Sequence, residues 1–142
     1  MDFYAKTFDI LTTGEIYEIL KSRLEVFLFE QNIRYLDTDD IDYDSLHVFC
    51  KENGRVVSYL RAFRYEDAVK IGRVLTLCHG KGDGRRLMEF AEGKIKEHFG
   101  CDRIVLHSQK QAQGFYEKLG YKTVSDEYIE AGIPHITMEK TL

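Results

Sequence analysis

Residues 79–84 read His79-Gly80-Lys81-Gly82-Asp83-Gly84, and the segment after them sets Leu87, Phe90, Ala91, Ile95 and Phe99 on one helical face. Residues 68–77, rich in β-formers, precede them, so the chain passes from a strand through a glycine loop into a helix. Glycines in that place let backbone N–H groups approach an anion, and the helix N-terminus adds roughly half a positive charge. Lys81, Arg85 and Arg86 add fixed charge, whereas Asp83 opposes an anion unless its side chain turns away. The alternative is a loop that needs its glycines only for positive φ. Two phosphate motifs are excluded by position. A P-loop requires Ser or Thr after Gly-Lys, and Gly82 follows Lys81. A dinucleotide fingerprint begun at Gly80 meets Arg85 where its third glycine belongs, and begun at Gly82 it meets Leu87.

Working outward, Gly100 ends the helix, and residues 104–107 read as a buried strand. Ser108 with Gln111 has the spacing of a helix cap before Ala112, Phe115, Tyr116 and Leu119, and Gly120 stops that helix. Strand-like pieces follow at 121–124 and 133–138. Upstream, 46–50 and 55–63 flank Asn53-Gly54, the dipeptide favoured in two-residue hairpins, and a turn at 65–67 leads into 68–77. A strand at about 3–8 precedes Thr12 and Glu15, which have capping-box spacing, and a helix over about 13–29 follows from Ile16, Ile19, Leu20, Leu24, Phe27 and Leu28. Asp37, Asp39, Asp40, Asp42 and Asp44 suit a solvated acidic loop. The order gives an α+β fold with a mixed, mostly antiparallel sheet.

A length of 142 residues fits one domain, 1–142, with no linker and no internal repeat. Apolar residues make up 44% and charged residues 31%, the balance of a folded chain. The net charge of −4 argues against nucleic acid as partner. Cys50, Cys78 and Cys101 are odd in number and lack a C-x-x-C pair, so neither a disulfide framework nor a zinc site is expected, and the chain reads as cytoplasmic. No stretch has the ~20 apolar residues of a membrane span. The five histidines, His47, His79, His98, His107 and His135, form no H-x-x-x-H pair, so no metal is expected. A calcium loop counted from Asp40 meets Ser45 and Lys51 where glycine and glutamate are required.

Gly82 and Gly84 match the Arg/Gln-x-x-Gly-x-Gly/Ala loop with which GNAT acyltransferases cradle the pyrophosphate of acetyl-CoA, and the chain resembles that family over nearly its whole length. Residues 23–31 (RLEVFLFEQ), the acidic segment ending in His47, Gly72-Arg73-Val74, Phe115-Tyr116 with Gly120-Tyr121, and Gly132-Ile133-Pro134-His135 with Met138 are similar to its ElaA-type branch. The resemblance implies a GNAT-like twisted sheet with helices on both faces. It also implies direct acetyl transfer from acetyl-CoA to a primary amine, on a small molecule, a peptide N-terminus or a lysine. By the same resemblance Tyr116 is the general acid and the backbone N–H groups of Val74, Leu75 and Thr76 are oxyanion donors. His79, Gly80, Lys81, Gly82, Asp83, Gly84, Arg85 and Gln109 then belong to the cofactor site. Gln109 also reads as part of the cap of the following helix. Glu30 and Glu130 are candidates for the base that deprotonates the amine. His47 and His135 read first as satisfied core residues. Two departures stand out: His79 replaces the usual Arg or Gln, and the stretch from Arg73 to His79 is about two residues short. They leave room for a second reading, an acyl-CoA-binding or regulatory module with little catalysis, and a homodimer stays open.

Overall fold

The computed structural model describes residues 1–142, and one sheet runs through all of it. The elements are β1 (Asp2–Thr7), α1 (Thr13–Arg23), a π-helical stretch (Leu24–Glu30), β2 (Leu46–Glu52), β3 (Arg55–Tyr65), β4 (Ala68–Thr76), α2 (Asp83–Phe99), β5 (Arg103–Gln109), α3 (Gln113–Lys118), β6 (Lys122–Thr123), β7 (Tyr128–Glu130) and β8 (Ile133–Thr141). The strand order is β1-β2-β3-β4-β5-β8-β6, with β7 paired to β8. Every pair is antiparallel except β4–β5, so the expected mixed sheet forms.

Local signals explain most of these elements. Thr12 accepts from the Glu15 N–H at 3.1 Å and Glu15 accepts from the Thr12 N–H at 2.9 Å, a reciprocal cap that starts α1. Asn53 and Gly54 both take positive φ, +53° and +79°, as the two-residue turn between β2 and β3 requires. Gly100, at φ +63°, closes α2 by bonding its N–H to Lys96 O at 3.1 Å. Leu87, Met88, Ala91 and Ile95 of α2 pack against Val48, Leu60, Val69, Ile71, Ile104 and Leu106 on one face of the sheet. Ile19 of α1 and Val26 of the π-helical stretch cover Phe49, Tyr59 and Leu75 on the other, so helices lie on both faces. No helix is long and apolar enough to cross a membrane.

Three expectations need correction. The helix of 13–29 is α-helical only to Arg23. Beyond it the hydrogen bonds span five residues instead of four, as from the Gln31 N–H to Val26 O at 2.9 Å, a π-type geometry that widens the turn. Ser108 does not cap a helix. It pairs with Ile136 inside β5, its Oγ donates to Gln109 O at 2.8 Å, and α3 is a six-residue helix with no side-chain cap. Sheet pairing outcompetes the local cap because Ser108 continues the buried alternation of Ile104 and Leu106.

The third correction concerns the acidic loop, which is folded onto arginines. Arg61, 3% exposed, binds Asp39 with both Nη atoms at 2.7 Å. Arg23, 1% exposed, reaches Asp37 Oδ2 and Asp42 Oδ1, each at 2.8 Å, and Arg73 Nε lies 3.1 Å from Asp37 Oδ1. Of the five aspartates only Asp40 and Asp44 are exposed and make no ion pair, as a solvated loop requires. The hydrogen bonds from Arg61 hold the Asp39 carboxyl at a pKa of about 2, against about 3.9 in an unfolded chain. A depressed carboxyl stabilises the fold above its unfolded value, and that contribution disappears as pH falls through the folded one. Stability is therefore expected to drop between about pH 4 and pH 2. Asp39→Asn should flatten that limb in urea titrations followed by circular dichroism. An unchanged limb would show that Asp39 does not contribute to it.

Candidate functional site

β4 and β5 pair over only three residues, Val69 with Ile104 to Ile71 with Leu106, and then separate. The divergence begins where β4 carries an extra residue. Between Tyr59/Leu75 and Arg61/Gly72 the β3 partner advances two residues and β4 three, and Arg73 takes φ +53° there. Beyond Ile71, the edge of β4 that faces β5 has no strand partner. A cavity of about 570 Å³ opens at this gap, lined by Gly72, Arg73, Val74, Ser108, Gln109 and Tyr116, among others.

Of the residues singled out from the sequence, Val74, His79, Gln109 and Tyr116 line this cavity together. Leu75 does not, because its side chain is 3% exposed within the core on the α1 face, leaving only its backbone for a role at the gap. Thr76 sits beside the mouth, its Oγ1 3.5 Å from His79 Nδ1. His79 turns away from the glycine loop and contacts Glu30 of the π-helical stretch, Nε2 to Oε1 at 2.7 Å. Gln109 donates to Gln31 Oε1 at 2.7 Å and accepts from Gln111 at 2.8 Å, so it ties β5 to the end of the π-helical stretch; it stands at the N-cap of the 3₁₀ turn at Lys110–Ala112, where its side chain makes no cap bond.

The glycine loop lies just outside the cavity, at the N-terminus of α2. Gly80 and Gly82 both take φ +78° and Gly82 is the N-cap, so no side chain bonds to the first-turn N–H groups. Gly84 does not have positive φ. Space is tight instead, since a Cβ there would stand 3.1 Å from the Phe115 ring, which would have to shift by a few tenths of an ångström. Asp83 is 7% exposed and its carboxylate is held by Arg86 at 2.5 Å, which removes the objection that it repels an anion. Arg86 also donates to Lys81 O at 3.2 Å and braces the loop. Arg85 is exposed and lies 3.4 Å from Glu89. Open N–H groups flanked by Lys81 and Arg85 fit a phosphate-bearing ligand.

Tyr116 of α3 is 7% exposed and packs against Phe115 and Tyr121, with ring centroids at 5.0 and 5.9 Å. Its hydroxyl has no hydrogen-bond partner in the chain, and burial pushes its pKa up, so the phenol stays protonated.

On the far side of the gap the β7–β8 hairpin turns at Ala131 and Gly132, with φ +51° and +76°, and brings Glu130 beside His107 and His135. Glu130 Oε1 lies 2.9 Å from His107 Nδ1, and Glu130 Oε2 lies 3.8 Å from His135 Nε2. The bond to His107 holds the Glu130 carboxyl below its usual value. Lys70 Nζ is 3.2 Å from the same His107 nitrogen, and burial together with the nearby Arg61 and Arg73 lowers its pKa. His107 and Lys70 were missed in the sequence. β7 was also missed, although Ala131-Gly132 is a turn signal that could have revealed it. His47 is a core residue, as read. It is 2% exposed, its Nε2 donates to Asp42 O at 2.8 Å and its Nδ1 accepts from Tyr59 at 2.7 Å.

A gap between two parallel strands, bordered by a helix N-terminus with open N–H groups, is the architecture of an acyl-CoA-dependent acyltransferase. Comparison with known proteins agrees. Residues 21–142 match the family model described as an acetyltransferase (GNAT) domain. A UPF0039 protein of Schizosaccharomyces pombe is 37% identical over 147 residues, covering 100% of this chain and 98% of its own. An acyl-CoA N-acyltransferase from Pseudomonas aeruginosa superposes with a TM-score of 0.92 at 33% identity, covering 99% of this chain and 100% of its own. Escherichia coli ElaA superposes equally well, at 0.92 and 30% identity, over 99% of both chains. At 18% identity and a TM-score of 0.72, over 97% of this chain and 96% of its own, an aminoglycoside 6'-N-acetyltransferase complexed with coenzyme A shares the fold. The chain belongs to the GNAT acetyltransferase family, and within it is similar to ElaA.

Proposed function

We propose that residues 1–142 form one N-acyltransferase domain that moves an acetyl group from acetyl-CoA directly to a primary amine while both substrates are bound. The observation that carries this reading is the gap beyond Ile71 and Leu106, which meets the open N-terminus of α2 at one end and the free hydroxyl of Tyr116 on its wall. The N–H groups of Gly82 to Arg85, with Lys81 and Arg85, take the pyrophosphate. Val74 and Gln109 flank the pantetheine arm as it passes between the strands. The thioester supplies the electrophilic carbonyl, and N–H groups of β4 near Val74 to Thr76 bond its oxygen as charge develops. The amine nitrogen, attacking as the free base, bonds to the carbonyl carbon, the C–S bond breaks, Tyr116 gives its proton to the departing thiolate, and the proton shed by the new amide nitrogen returns the phenolate to phenol.

Calorimetric titration with acetyl-CoA and with CoA tests the cofactor site. Micromolar binding is expected, and Gly82→Val should weaken it at least about tenfold, because a branched side chain at φ +78° displaces the loop. Gly82→Ala, with its fold checked by circular dichroism, guards against simple misfolding. Absence of binding to the parent chain overturns the reading. A second reading, a module that binds acyl-CoA without efficient transfer, draws on the His79–Glu30 contact, which takes His79 away from the loop. It predicts binding with no turnover on any amine.

A further inference from the structure

The acceptor and donor atoms around Glu130 do not all satisfy one another. His135 is 6% exposed, and its Nδ1 faces the Ile133 carbonyl at 2.7 Å, so that nitrogen carries the hydrogen. In the neutral ring Nε2 is then a bare lone pair, and it faces Glu130 Oε2, another acceptor, at 3.8 Å. His107 Nδ1 is contested in the same way. It lies 2.9 Å from Glu130 Oε1 and 3.2 Å from Lys70 Nζ, yet one ring nitrogen offers either a hydrogen or a lone pair. If it accepts from Lys70, Glu130 loses its donor. A single ligand ammonium beside Glu130 resolves both conflicts. Its N–H groups serve the carboxylate and the His135 lone pair together, and His107 is released to Lys70.

Glu130 is also the one carboxylate of the cavity wall that no arginine holds, since Asp37 and Asp39 are paired with Arg23, Arg61 and Arg73. Another part of the lining is apolar and open to solvent. Leu24 and Leu28 are 44% and 37% exposed, and Tyr35 and Leu36 are 67% and 82% exposed, all lining the same cavity. Exposed apolar side chains that line a cavity suit an apolar ligand surface. A carboxylate on the ligand finds no arginine there that is not already paired with an aspartate. Arg73 is tied to Asp37 and Asp39, and Lys70 is directed at His107 and over the Tyr65 ring.

Building on the reading of the chain as an N-acyltransferase, we infer that the acceptor is a primary amine with an apolar body and no carboxylate, its ammonium held by Glu130 and His135 and its body laid against Leu24, Leu28 and Leu36. The test compares 2-phenylethylamine, phenylalanine, ethanolamine and spermidine as acceptors for the full chain at saturating acetyl-CoA. 2-Phenylethylamine should exceed each of the others in kcat/KM by at least about tenfold, the order of one lost ammonium or apolar contact. Glu130→Gln should raise its KM by a similar factor and leave acetyl-CoA affinity unchanged. Leu36→Asp should impair 2-phenylethylamine and spare ethanolamine, and it changes only a side chain already open to solvent. Preference for phenylalanine or spermidine, or an indifferent Glu130→Gln, overturns the inference. Direct calorimetric binding of 2-phenylethylamine, lost in Glu130→Gln, reads the subsite independently of acetyl-CoA. A failed cofactor site is thereby told apart from a wrong acceptor.

Discussion

Tyr116→Phe is expected to lower turnover by about 10²–10⁴-fold, the contribution a positioned acid makes, while acetyl-CoA affinity and stability stay near those of the parent. The structure makes this substitution unusually clean. The hydroxyl has no bond within the chain, so its removal leaves no orphaned partner, and the ring keeps its contacts with Phe115 and Tyr121. Removing a hydroxyl that has no partner within the chain costs no internal hydrogen bond, so a loss of rate with stability and affinity intact reports on the chemistry. The upward pKa shift from burial keeps the phenol protonated through the neutral range, the state required of an acid. The measurement is kcat and KM for the amine, with CoA affinity by calorimetry and melting temperature alongside. A rate within about twofold of the parent would remove Tyr116 from the chemistry and leave it a packing residue; an equal loss of affinity and rate would make it a binding residue.

How far the sequence carries the reader depends on whether the controlling interaction is local. The Thr12–Glu15 cap, the Asn53-Gly54 turn and the glycine loop before α2 involve residues within a few positions of each other, and each forms as its spacing predicts. The site is different, because its pairs are distant in sequence. Lys70 meets His107 across 37 positions, His107 meets Glu130 across 23, and Arg61 meets Asp39 across 22. From sequence alone an aspartate run whose nearest arginine is Arg34 looks solvated, and Arg34 bonds Asn32 instead. In the fold its arginines come from α1, β3 and β4. Ser108 shows the opposite failure: a valid local cap signal is overruled because the strand has a neighbour, β8, and the helix has no such support. The π-helical stretch has no pattern of its own in an apolar 3.6-residue run, yet it points Leu24, Phe27 and Leu28 into the cavity wall.

Arg23→Ala is expected to destabilise the protein by about 3–5 kcal/mol, the range for breaking a buried ion-pair network by removing one partner, here together with the packing of a buried side chain. Arg23 is 1% exposed and its guanidinium holds three groups at once: Asp37 Oδ2 at 2.8 Å, Asp42 Oδ1 at 2.8 Å and the Asp37 carbonyl at 2.9 Å. Asp42 retains Arg61 at 3.1 Å and Asp37 retains Arg73 at 3.1 Å, so neither is fully stranded, but the Arg23 volume is lost against Tyr59 as well. At roughly 3 °C per kcal/mol for a chain of this size, the melting temperature should fall by about 10–15 °C. Arg23→Lys restores the charge without the planar fork and should recover only part of that loss. The consequence for function follows from position. Arg23 pins Asp37, whose neighbours Tyr35 and Leu36 form the apolar cavity wall, while the glycine loop belongs to α2 on the other face. Below its melting temperature the Arg23→Lys variant should therefore lose acceptor KM before acetyl-CoA affinity. A drop below about 1 kcal/mol for Arg23→Ala would mean that the buried network contributes little to stability, and a variant that lost both substrates together would place Arg23 in the general core rather than in the support of one wall.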